Sequence, residues 1–114
     1  MPAHRFSNGF LTASISEVFR ADKEMVVTAF VICNTSGSNR TYEIQHVPAD
    51  ESASDEHCLY HSQQVRTGIN QTVETAIYLN PGDSIHAAAS VGGDVAFSAY
   101  VMDYSSYISK RGTS

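Results

Sequence analysis

Residues 78–104, YLNPGDSIHAAASVGGDVAFSAYVMDY, decide the fold. They divide into the end of one strand, a tight turn, a second strand, another tight turn and a long third strand. Asn80-Pro81-Gly82-Asp83 suits a type II turn, in which proline presets φ at the first central position and glycine takes the positive φ at the second. Val91-Gly92-Gly93-Asp94 carries a glycine pair able to adopt the primed turns of hairpins. Between the turns Ile85, Ala87 and Ala89 alternate with Ser84, His86, Ala88 and Ser90. Beyond them Val95, Phe97, Ala99 and Val101 alternate with Ala96, Ser98, Tyr100 and Met102. A period of two sends one set to an internal face and the other to the opposite face. These features describe a framework of strands, with no catalytic pattern among them.

Working outward, residues 25–33 (MVVTAFVIC) are the strongest single strand. Strict alternation sets Val26, Thr28, Phe30 and Ile32 against Val27, Ala29, Val31 and Cys33. Both faces are apolar, so the strand is expected in the middle of a sheet with both faces covered. One face meets an opposing sheet; the other needs a loop, an arm or another subunit. Residues 40–47 follow a turn-rich segment (Asn34 to Asn39) and alternate Tyr42, Ile44 and His46 against Thr41, Glu43 and Gln45, with the second set on a wet face. Residues 58–65 form a polar edge strand, and residues 72–79 another strand. Residues 10–19 are read as the first strand; a helix competes at Leu11, Ile15, Val18 and Phe19, but the many Ser and Thr residues favour the strand. The expectation is all-β: an antiparallel β-sandwich, jelly-roll or Ig-like, of seven to eight strands. Residues 1–9 read as an N-terminal arm, 10–104 as the sandwich domain and 105–114 as a polar C-terminal tail.

The 114 residues suffice for one core, with 42% hydrophobic and only 17% charged residues. That balance excludes a disordered chain. A formal charge of -5 without any Lys or Arg cluster argues against nucleic acid as a partner. No apolar run is long enough to cross a bilayer as a helix, and MPAHRFSNGF has no apolar signal core, so neither membrane nor secretion is expected. Cys33 and Cys58 show no metal spacing and are expected as reduced thiols.

Each chemically suggestive cluster has a plainer reading. His57 and His61 flank Cys58 at a spacing known from zinc sites, but the pattern lacks a paired cysteine, so solvated histidines and no metal are expected. Asp50, Glu51, Asp55 and Glu56 lack the glycine of a calcium loop and read as a solvated acidic loop. There is no nucleophile elbow, P-loop or dinucleotide fingerprint, and neither an enzyme nor a cofactor is expected. Three Asn-x-Ser/Thr tripeptides, at Asn34, Asn39 and Asn70, fall in turns and read as turn chemistry. The residues singled out for function are aromatic or soft: Tyr100, Met102 and Tyr104 on one face of the last strand, Tyr107 beyond it, and Phe6 and Phe10 near the amino end. Tyr and Met are enriched at protein interfaces, while the second face of a double-sided core is the competing use. The small side chains of Ala87, Ala88, Ala89, Ala96 and Ala99 allow another sheet or subunit to come close.

The order Ile32-Cys33-Asn34-Thr35-Ser36-Gly37-Ser38, Val47-Pro48-Ala49, Ser52-Ala53-Ser54-Asp55, Leu59-Tyr60, then residues 78–85, Ala89-Ser90 and 94–100, resembles the small β-sandwich virion proteins of tailed bacteriophages. Those proteins carry an N-x-S-G-S turn, a P-A loop and a closing L-x-x-G-D-x-I … A-S … G-x-V-x-F-S segment. The resemblance spans residues 10–104 and rests on turn and core residues. It implies a non-enzymatic virion component without a cofactor: a symmetric oligomer, expected as a trimer, that decorates or cements the capsid or attaches at the neck or tail. Its partners would be copies of itself and the major capsid or neck and tail proteins. A carbohydrate- or receptor-binding fibre module is the alternative, weakened by the lack of tryptophan.

Overall fold

A computed structural model describes residues 4–112, with side chains described for residues 9–108. Eight strands run in order: β1 (His4–Phe10), β2 (Ser16–Arg20), β3 (Met25–Asn34), β4 (Arg40–Val47), β5 (Cys58–Val65), β6 (Asn70–Leu79), β7 (Ser84–Ala89) and β8 (Val95–Asp103). A 3-10 turn, Asp55–His57, precedes β5, and a helix, α1 (Tyr104–Gly112), follows β8.

Four antiparallel pairs organise the chain: β1 with β8, β2 with β7, β3 with β6 and β4 with β5. The protein is therefore one long hairpin whose bend lies at residues 48–57. Rolling it brings β8 against β3 and β7 against β4, which closes two four-stranded sheets ordered β1-β8-β3-β6 and β2-β7-β4-β5. That wrapping is a jelly roll and decides between the two sandwich types left open by the sequence.

The core fills the space between the sheets. Phe30 of β3 stacks at 5.5 Å on Phe97 of β8 and meets Tyr60 of β5, from the opposite sheet, edge-on at 6.4 Å. Met25, Val27, Ile32, Ile44, Ile85, Val95 and Val101 are fully enclosed around them. Each such side chain contributes roughly 1.5–3 kcal/mol by leaving water.

The structure changes the expected alternation of β3. The ladder slips between Val27 and Ala29 toward both neighbours: against β8 Thr28 is the extra residue of a bulge, and against β6 the extra residue lies on β6. A bulge inverts the parity of everything after it. Met25 and Val27 point inward before it, Phe30 and Ile32 after it, and the outward set becomes Val26, Ala29, Val31 and Cys33. No periodicity of apolar residues could show this, because every residue of the stretch except Thr28 is apolar.

Three other expectations shift. His4–Phe10, read mostly as an arm, is an edge strand in register with β8 from His4↔Met102 to Phe10↔Ala96. Its polar sequence hid it, since its backbone is held by the neighbouring strand. Residues 10–19 are not one strand: Phe10 ends β1, the chain crosses between the sheets, and β2 begins at Ser16. Tyr104, read as the end of the last strand, opens a helix, Tyr104–Gly112, that takes up most of what was read as tail. The outward face of β4 is also drier than expected. Gln45 is buried because the loop 48–57 folds over it, and the Ser54 N–H donates to Gln45 Oε1 at 3.1 Å.

The turn at residues 80–83 forms as read. The Asp83 N–H donates to the Asn80 carbonyl at 2.9 Å, and Gly82 takes φ +91°. The Gly82 N–H and Arg20 Nη1 in turn tie this turn to the β2–β3 connection, at 2.8 and 2.9 Å.

Candidate functional site

The outward face of the first sheet is built in rows, because directly paired residues on antiparallel strands share a face. One row runs Phe10, Ala96, Cys33, Asn70; the next Ser98, Val31, Thr72; the third Tyr100, Ala29, Glu74. The middle of the face, on β8 and β3, is uncharged and made of small half-buried side chains: Ala96, Ser98, Ala29, Val31 and Cys33. Phe10, 59% exposed, and Tyr100, 40% exposed, flank it, and the polar residues of β6 form its rim. A centre of small uncharged side chains with aromatic flanks and a polar rim is the anatomy of a protein interface.

The six residues singled out in the sequence divide between this face and the chain's own packing. Phe10 and Tyr100 lie on the face. Phe6 occupies the register position opposite Tyr100, while its side chain lies outside the described set. Met102 is buried, 3% exposed, beside the equally buried Val26, at the end of the face against which α1 packs. Tyr104 and Tyr107 both meet the Tyr78 ring edge-on at 5.9 Å. Met102, Tyr104 and Tyr107 are thus engaged within the chain: α1 covers the part of the outer face where Val26 and Met102 would otherwise meet water.

The titratable groups that carry strong interactions are mostly structural. Asp83, 6% exposed, accepts from the Asn80 N–H and the Ala49 N–H, both at 3.0 Å, and lies 3.1 Å from His46 Nε2. Burial alone would raise its carboxyl pKa; the hydrogen bonds from Asn80, His46 and Ala49 outweigh it and hold the group below the usual carboxylate range. Burial lowers the His86 imidazole, whose Nε2 lies 3.0 Å from Ser84 Oγ. That serine is 2% exposed, so its hydroxyl has no room to meet a substrate. Buried Asn34 uses its whole amide: it donates to Ser38 O and Val65 O at 2.7 and 3.0 Å and accepts from the Ser36 N–H and hydroxyl. This ties up the nitrogen that glycosylation would need.

His57 and His61 do not share a site. His57 lies 3.1 Å from Glu51 and belongs with Glu51 and Glu56 in the acidic loop. His61 joins Cys58 and a residue the sequence did not suggest, Glu43 of β4. Two small hollows open among the described residues. One of about 250 Å³ opens where β1 and β2 part, lined by Phe10, Leu11, Val18 and Phe97. Another, of about 140 Å³, lies beside Thr41, Glu43 and Ala88.

No protein-family model matches the sequence, and no curated protein matches it. Among solved structures, a chain from the disulfide-linked pili of Bacillus endospore appendages superposes with a TM-score of 0.53 at 7% identity, over 90% of this chain and 86% of that one. A chain from infectious bursal disease virus, Gx strain, aligns at a TM-score of 0.48 and 11% identity, over 91% of this chain and 33% of that one. At such identity the first likeness shows a shared fold, and the second is too loose to carry an argument. The class defined is therefore an eight-stranded antiparallel β-sandwich.

Proposed function

We propose that this chain is a non-enzymatic structural protein of a tailed-phage virion, a symmetric oligomer, trimeric in our reading, that decorates or cements the capsid or attaches at the neck or tail. The observation that carries the reading is the outward face of the first sheet, whose centre is uncharged and small and whose flanks are Phe10 and Tyr100. A sheet face of small side chains lets a second surface approach closely, and aromatic flanks supply anchors. A standard interface buries about 1,600 Å² in total, and many copies on one particle would multiply weak contacts by avidity. The virion assignment itself rests on the turn and core motifs of residues 10–104; the shared fold with a pilus protein is compatible with a role in assembly. Immunogold labelling of purified tailed-phage particles from a strain carrying the gene tests it. Label at a regular position on head, neck or tail is the expected result. Label absent from particles while the protein stays free in the lysate would overturn it, and specific retention on a glycan array in that case would favour the fibre-module alternative.

A further inference from the structure

The outward face of the second sheet holds a cluster of a different kind. Glu43, Cys58 and His61 place a carboxylate oxygen, Sγ and a ring nitrogen within 4.8 Å of one another. Their convergence depends on a fault in the ladder. Cys58 and His61 are three residues apart and would point to opposite faces of a regular strand. The β4–β5 register slips between Ile44↔Tyr60 and Gln45↔Cys58, leaving Leu59 as the extra residue. The slip turns Cys58 to the side of His61 and Glu43.

We propose that Glu43, Cys58 and His61 form a Zn²⁺ site, with water completing the tetrahedron. Thiolate, imidazole and carboxylate together are a zinc donor set. His61 Nδ1 lies 3.5 Å from Glu43 Oε1, long for a hydrogen bond but close to the roughly 3.3 Å edge expected between N and O ligands of one tetrahedral zinc. Glu43 is also held from behind. Gln45, 2% exposed, donates to Glu43 Oε2 at 2.7 Å and is itself fixed by the Ser54 N–H, so Oε1 remains directed at the cluster. Such supporting hydrogen bonds orient metal ligands. Binding breaks the Cys58 Sγ–H bond, forms an Sγ–Zn bond and releases the proton to solvent. The ion would pin edge strand β5 to β4.

The test is titration of the full chain with Zn²⁺ against a chromogenic chelator, and with Co²⁺ followed by absorption. One equivalent bound, with a thiolate-to-cobalt charge-transfer band, is expected. Cys58→Ser should abolish the band, and both it and exposed His61→Ala should weaken Zn²⁺ binding at least ~10-fold with unchanged circular dichroism. His57→Ala should leave both intact. Wild-type binding no tighter than that of Cys58→Ser overturns the site. So does loss of binding in His57→Ala with retention in Cys58→Ser and His61→Ala, which would move the ion to the loop of Glu51 and Glu56.

Discussion

Single residues at the connections hold the two sheets in register. Gly82 takes φ +91°, and a Cβ added there would meet the Ala49 Cβ at 2.9 Å. Gly82→Ala is therefore expected to cost about 1–3 kcal/mol, read as a lower urea midpoint at unchanged slope. The neighbouring Asp83 gathers two backbone N–H groups and His46. Its carboxyl pKa is depressed in the folded chain, so its contribution is present above the unfolded value of about 3.9 and lost as pH falls through the folded one. Asp83→Asn should destabilise the protein at pH 7, by about 1–3 kcal/mol. It should also flatten the loss of stability on acidification below about pH 4, as followed by urea unfolding across pH. An unchanged acid profile in Asp83→Asn would remove this residue from the account. The turn at these residues was legible because proline and glycine each carry their own backbone constraint. Asp83 as a hub was not, because Ala49 and His46 reach it from more than thirty residues away.

Elements were legible where side-chain alternation and turn chemistry agreed, as in β7 and β8. They were obscured where tertiary pairing overrode the pattern. β1 is polar and gains its conformation from β8; the β3 bulge reverses an alternation in which either parity looks apolar; the β5 slip assembles Glu43 with Cys58 and His61. Helix α1 was missed because Tyr104 and Tyr107 serve as its packing face only once Tyr78 of β6 stands beside them. That dependence has a consequence. Tyr78→Ala removes both edge-on ring pairs, at about 1–2 kcal/mol, and should release α1 from the sheet. Hydrogen exchange would then accelerate across residues 104–112 while β3 and β8 stay protected. Exchange unchanged in α1 would mean that the tyrosine contacts do not hold it.

For the whole molecule, the rolled hairpin satisfies its core between the sheets and caps Val26 and Met102 with α1, but it leaves the centre of the first sheet's outer face half-exposed. An apolar sheet face left half-exposed is a surface for another chain, and self-association is the behaviour expected of it. Sedimentation velocity at micromolar concentration tests it most directly, on the wild type and on Val31→Arg, a change at the middle of that face. The expected result is a wild-type oligomer, a trimer in our reading, and a folded Val31→Arg monomer with an unchanged circular dichroism spectrum. A wild-type protein that sediments as a monodisperse monomer, or an oligomer indifferent to Val31→Arg, would contradict it.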